Sequence, residues 1–114
     1  DPGSILSKRS VYFDFDSYTI KDEYRGLIET NARALAGAKA KRITIEGHTD
    51  ERGGREYNLA LGQKRAETVA RAMSLLGVAA EQVEAVSFGK ERPAAQGSDE
   101  AAWAKNRRAE IKDK

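Results

Sequence analysis

Cysteine is missing altogether from the 114 residues, while proline occurs only twice and tryptophan and methionine once each. Without cysteine there is no disulfide framework, no thiolate zinc site and no cysteine nucleophile. That absence does not fix the compartment, because many proteins of oxidising compartments also lack it. Two prolines against ten glycines exclude proline-rich and collagen-like repeats. No apolar run approaches the roughly 18 residues needed to cross a bilayer. Nor does a basic and then apolar leader open the chain, which starts Asp1-Pro-Gly-Ser4. An excess of one charge is lacking too. Twenty basic residues against eighteen acidic leave a net charge of +2, with no block of five like charges, which argues against a nucleic-acid-binding arm.

What is present suits one folded domain. The chain is 39% hydrophobic and 33% charged, and at this length roughly 65% of the unfolded surface is buried on folding. Residues 1–9 read as a linker or a cloning leftover, 10–112 as the domain, and 113–114 as a tail. Val11 to Phe15 alternates as a strand does, with Val11, Phe13 and Phe15 facing inward. Lys21 to Ala36 carries helical apolar spacing and stops at Gly37. Arg42 to Gly47 alternates again, and Thr49 to Arg55 reads as an exposed loop. A long helix should run from Glu56 or Asn58 to Leu76, closed by Gly77. Val83 to Phe88 is a third strand, Ser98 or Asp99 caps a short helix through Trp103, and Arg108 to Lys112 is a last strand. The order β-α-β-α-β-(α)-β predicts an α+β two-layer sandwich, a mixed sheet with helices on one face. Leu61, Val69, Met73 and Leu76 should share its core with Phe13, Phe15, Ile43, Ile45 and Val86. Leu76→Ala would then cost roughly 2–4 kcal/mol.

One residue breaks the apolar stripe of the long helix. Arg65 sits four residues after Leu61 and four before Val69. An unpaired buried charge costs several kcal/mol. The guanidinium must therefore snorkel, form an internal ion pair, or line a pocket and offer a fork to a ligand carboxylate. Asn58 lies on the same face two turns earlier. The loop before this helix, Glu46-Gly-His-Thr-Asp50, could complete such a pocket, with Gly47 permitting close backbone approach. Asp50 and Arg65 facing one another would make a slot for a zwitterion, ammonium to Asp50 and carboxylate to Arg65.

Sharper chemistries find less support. One histidine, His48, beside Glu46 and Asp50 is a poor metal set. Ser74 and Ser87 stand in no nucleophile motif that His48 and Asp50 could complete as a triad. Gly47, Gly53 and Gly54 have neither the Walker lysine nor dinucleotide spacing. His48 reads as an ordinary strand-end histidine bonding its neighbours. Arg107-Arg108 near Trp103 reads as a solvated or fold-supporting pair rather than a single-stranded nucleic-acid platform.

Taken together, Ile45-Glu-Gly-His-Thr-Asp50, Glu51-Arg-Gly53, Tyr57-Asn58, Leu61 and Arg65-Ala66 resemble the signature of OmpA-like peptidoglycan-binding domains. The resemblance extends to Ser87-Phe-Gly-Lys-Glu-Arg-Pro93 and Asn106-Arg-Arg108, and back to Val11-Tyr-Phe-Asp-Phe-Asp16, about residues 10 to 112. Asp50 to Gly53, Glu56 to Gln63 and Gly89 to Pro93 look most like the lipoprotein branch of that family, the one belonging to the Tol–Pal system. The resemblance implies non-covalent binding of peptidoglycan stem peptide through diaminopimelate, without catalysis, metal or cofactor. It places Asp14, Thr49, Asp50, Asn58, Leu61 and Arg65 at the ligand, with Asp50 and Arg65 on its charged ends. It also implies the periplasmic face of the outer membrane of a Gram-negative bacterium, a lipid anchor upstream in the full-length protein, and the periplasmic Tol propeller protein (TolB) as a partner. The rival reading is a protein-interaction module in which an Asp50–Arg65 pair is purely structural.

Overall fold

The computed structural model describes residues 9–114; of the residues read as a linker, 1–8 lie outside the described part. The strands are β1 (Ser10–Tyr12), β2 (Ile43–His48), β3 (Val83–Gly89) and β4 (Arg108–Asp113). The helices are α1 (Arg25–Ala36), α2 (Arg55–Leu75) and α3 (Glu100–Asn106), with short 3-10 turns at Asp22–Tyr24 and Ala80–Gln82. The strands form one sheet in the order β1-β4-β2-β3. β2 runs parallel to β3, and β4 runs antiparallel to both β1 and β2. This is the mixed α+β sandwich that the element order predicted.

Local chemistry accounts for the element ends. Gly77, at φ 99°, adopts the left-handed conformation that ends α2. Asp99 caps α3, its Oδ1 accepting from the Ala102 N–H at 2.9 Å. Gln82 is buried at the α1–β2 connection, where its side-chain nitrogen donates to the carbonyls of Leu35, Ala38 and Lys41. A polar group buried this way is satisfied by the backbone carbonyls around it.

The core lies on one face of the sheet. Val11, Ile43, Ile45, Ala109 and Ile111 pack against Leu27, Ile28, Ala32 and Leu35 of α1 and Ala66, Val69 and Met73 of α2. Helix α2 approaches β2 closely because both sides are glycine. A Cβ on Gly47 would stand 1.7 Å from the Gly62 carbonyl oxygen, and one on Gly62 would stand 2.3 Å from Ser87 Oγ. Close approach was predicted for Gly47; Gly62, its counterpart, gives no sign of this in sequence.

Three predicted core residues lie elsewhere. Leu76 caps α2 past its last full turn and is 42% exposed. Phe15 follows a strand that ends at Tyr12, so the alternation no longer points it inward, and it is 59% exposed. Val86 pairs with Glu46 and not with Ile45. Period two therefore turns it to the helix-free face, where it is only half-buried. Met73→Ala should accordingly cost about 2–4 kcal/mol and Leu76→Ala under about 1 kcal/mol. Urea midpoints of the two variants check this contrast.

Candidate functional site

The carboxyl end of β2, the amino-terminal half of α2 and the segment after β1 enclose a cavity of about 250 Å³. It is lined by Phe15, Asp16, Thr49, Asp50, Arg52, Gly53, Tyr57, Asn58, Leu61 and Arg65. Five of the six predicted site residues, Thr49, Asp50, Asn58, Leu61 and Arg65, thus meet around one space. A larger groove of about 330 Å³ between α1 and α2, including Ile20, Ile28, Leu75 and Leu76, is apolar apart from Arg25 and Glu29. Convergent polar groups mark a recognition site better than size does, and only the smaller of these two spaces gathers them.

Asp14 is placed differently. Its exposed carboxylate pairs with Lys21 at 2.9 Å, and it does not line the cavity. Its backbone contributes instead, because the Asp14 carbonyl accepts from Arg65.

Arg65 is fully buried. Its Nε donates to the Ser17 carbonyl at 2.8 Å, Nη1 to the His48 carbonyl at 2.9 Å and Nη2 to the Asp14 carbonyl at 3.1 Å. Three of the five guanidinium N–H groups are thereby used on backbone, and the group also sits 5.3 Å from the Phe13 ring centroid. Burial lowers its pKa to about 10, with nearby Arg107 pushing the same way and Asp50 and Asp16 opposing. It stays charged at neutral pH. Asp50 influences Arg65 through space, but no hydrogen bond joins them.

Asp50 is held by another residue. Its Oδ1 accepts from the Arg52 backbone N–H at 3.0 Å and Nε at 3.2 Å, and its Oδ2 accepts from Arg52 Nη2 at 2.8 Å. Arg107 Nη1 stands 3.6 Å from Oδ2. Burial, the largest influence, pushes the Asp50 pKa up, yet the Arg52 bonds and then Arg107 outweigh it and hold the carboxyl below its ordinary value. The Arg52 guanidinium itself lies between two rings, 4.1 Å from the Phe15 centroid and 4.0 Å from that of Trp103.

The remaining contacts fix the loop. Asn58 donates to the Arg52 carbonyl at 2.9 Å, and Thr49 Oγ1 donates to the Asp50 carbonyl at 3.0 Å. Lys90 donates to the Gly53 carbonyl at 2.8 Å, and Trp103 Nε1 to Glu51 at 2.8 Å. Tyr57 donates to Asp16, which adopts a left-handed backbone with φ 56°. Arg107, buried, donates to the Phe13 carbonyl and forks onto Glu100. Arg108 is likewise buried and pairs with Glu110, so the arginine pair supports the fold and neither member is solvated. Arg52, Phe15 and Trp103 were not among the residues predicted to form the site. Their only sequence trace was an arginine two residues after Asp50 and a single tryptophan in a charged segment.

His48 is buried and bonds Glu46 at 3.4 Å, as a strand-end histidine does, and its ring stacks on Phe88 with centroids 5.6 Å apart. Among the described residues no group of three His, Cys, Asp or Glu is arranged to hold a metal ion.

The OmpA family profile matches residues 12–107, and the chain belongs to the OmpA family. The peptidoglycan-associated lipoprotein of Pseudomonas aeruginosa is 47% identical over 98% of this chain and 66% of its own length. That of Pasteurella multocida is 51% identical over 88% of this chain and 67% of its own. The chain thus spans about two thirds of the length of these curated relatives. The crystal structure of the peptidoglycan-associated lipoprotein from Burkholderia pseudomallei, 60% identical, matches with a TM-score of 0.98 over 100% of this chain and 97% of that one. The C-terminal domain of Helicobacter pylori MotB, 25% identical, matches at 0.85 over 94% of this chain and 84% of that one.

Two outcomes are expected. Arg65→Lys should lose about 1–3 kcal/mol of stability, because one ammonium cannot serve three carbonyls in three directions; denaturant titration measures it. Burial and then Arg108 lower the His48 pKa against the pull of Glu110 and Glu46. A base with a lowered folded pKa stabilises fully above the unfolded value, near 6.5, and loses that contribution as pH falls through the folded value. Melting temperature should therefore decline below about pH 6.5, and the decline should flatten in His48→Gln.

Proposed function

We propose that this domain binds the peptide stem of peptidoglycan non-covalently, gripping diaminopimelate in the cavity between β2 and α2. The carrying observation is that Asp50 and Arg65 border one cavity of about 250 Å³ together with Thr49, Asn58 and Leu61. That volume lies below the usual range for drug-sized ligands, about 300–1,000 Å³, and suits one amino-acid residue. Opposite charges at its wall suit a residue whose free end is zwitterionic. Thr49 and Asn58 supply polar atoms, Leu61 an apolar floor, and the Asp14 carbonyl orients Arg65. Family membership and relatives bearing the name peptidoglycan-associated lipoprotein support the same ligand.

The binding unit in this reading is the folded domain from β1 to β4, whose last strand ends at Asp113. The full-length protein links the outer membrane to the cell wall from its periplasmic face in a Gram-negative envelope, through a lipid anchor upstream. Among the described residues no helix is long and apolar enough to cross a membrane, which is compatible with such an anchor. The periplasmic propeller protein of the Tol system, TolB, is the protein partner, competing at the same end of the domain. The domain acts by binding and not by catalysis. The rival in which Asp50 and Arg65 pair purely to hold the fold has less support, because each bonds other groups.

Purified sacculi should pull down the wild type, and free diaminopimelate should compete. Asp50→Ala removes one charge-assisted bond to the ligand, about 1.5–3 kcal/mol, so affinity for a diaminopimelate stem should fall about ten- to a hundredfold. Arg65→Ala should bind no better, and the double variant should not recover. Undiminished binding by Asp50→Ala, or a double variant restored to wild-type affinity, refutes the slot.

A further inference from the structure

The cavity acid is already occupied. Both Asp50 oxygens accept from Arg52, which makes a fork of Nε and Nη2 and adds its backbone N–H. Arg107 Nη1 stands 3.6 Å from Oδ2. A ligand ammonium that takes over these positions on Asp50 must displace the Arg52 side chain. That side chain is free to move. It is one-third exposed, sits on a loop followed by Gly53 and Gly54, and among the described residues its guanidinium otherwise rests on the faces of Phe15 and Trp103. Its backbone N–H remains on Asp50 wherever the guanidinium goes, so the acid keeps its orientation.

We propose that Arg52 is a specificity-determining residue: it occupies Asp50 in the free protein, and a ligand displaces it well only by bringing an ammonium for Asp50 together with a carboxylate for the released guanidinium. The proposal rests on reading the cavity as a diaminopimelate slot and names the residue that enforces the zwitterion.

The exchange is decided by counting ion pairs. A ligand carrying only an ammonium swaps a two-bond planar fork for a point charge on Asp50. It leaves Arg52 with aromatic faces but no acceptor, and the number of ion pairs does not rise. A ligand carrying both charges turns one ion pair into two. Its ammonium takes Asp50, and its carboxylate accepts from the freed Arg52 and from Arg65, two of whose N–H groups have no protein acceptor among the described residues. Selectivity against a lysine stem or an amidated stem then comes from the protein's own competitor as well as from missing contacts, a repulsive element of the kind specificity often needs.

Calorimetric titration of stem peptides ending in diaminopimelate, amidated diaminopimelate or lysine, against wild type, Arg52→Gln and Arg52→Lys, tests this. Wild type should prefer the diaminopimelate stem strongly. Arg52→Gln should bind the lysine and amidated stems at least about tenfold more tightly than wild type does, the scale of one charge-assisted bond no longer opposed. Its diaminopimelate preference should shrink. Arg52→Lys, a cation without the fork, should fall between them, and circular dichroism confirms that both variants are folded. If wild type binds diaminopimelate stems but Arg52→Gln leaves lysine-stem affinity unchanged or weaker, the competitor role is overturned while the slot stands. If wild type binds none of the stems, the slot itself fails and the role of Arg52 falls with it.

Discussion

A charged group with no exposed surface organises this domain. The Arg65 guanidinium joins two chain segments that do not pair with each other, the Asp14–Ser17 turn and the end of β2 at His48. Burying a guanidinium is costly unless its donors are satisfied. Here three backbone carbonyls satisfy it: those of Ser17 and Asp14, the latter also accepting from the Ser17 N–H, and that of His48 at the end of β2. The segment after β1 leaves the sheet at Tyr12, and Arg65 holds it against α2 together with the Tyr57–Asp16 bond. The wall of the cavity therefore depends on a residue that also lines the cavity.

The second constraint is steric. With the Cα atoms of Gly47 and Gly62 facing one another, α2 lies on β2 with no side chain between them. This approach sets Asn58, Leu61 and Arg65 beside Thr49 and Asp50. Any larger residue at either glycine would lift the helix and widen the space. Leu61 and Val69, four residues either side of Arg65, then continue the same face of the helix, from cavity floor to core.

The electrostatics follow from that packing. Asp50 lies among Arg52, Arg65 and Arg107, and Arg52, then Arg107, hold its carboxyl below the ordinary value despite burial. Arg107 reaches Asp50 from the start of β4 while holding Glu100 and the Phe13 carbonyl. Residues from the β1 segment, the β2–α2 loop and the α3–β4 junction thus share one charge network. A change in how Asp50 is paired would be felt by all of them, since at short range and partial burial such charges are weakly screened.

The two periodicities that reveal strands and helices are local, and they were legible in the chain: the order of elements, the glycine stops, the cap at Asp99 and the inward face of α2 up to Met73. Arg65 was visible as an exception to an apolar stripe, and Thr49, Asp50, Asn58, Leu61 and Arg65 stood in one recognisable run. Tertiary structure decided the rest. Sequence could not say that β1 would end at Tyr12 and throw Phe15 out over Arg52. It could not say that Val86 would register with Glu46 rather than with the core row, or that Leu76 would fall past the last turn of α2. Above all, it showed Asp50 and Arg65 as a complementary pair, whereas each has other partners. Period and spacing report which residues share a face, but the partner of a charge depends on distances between segments, and those exist only once the chain has folded.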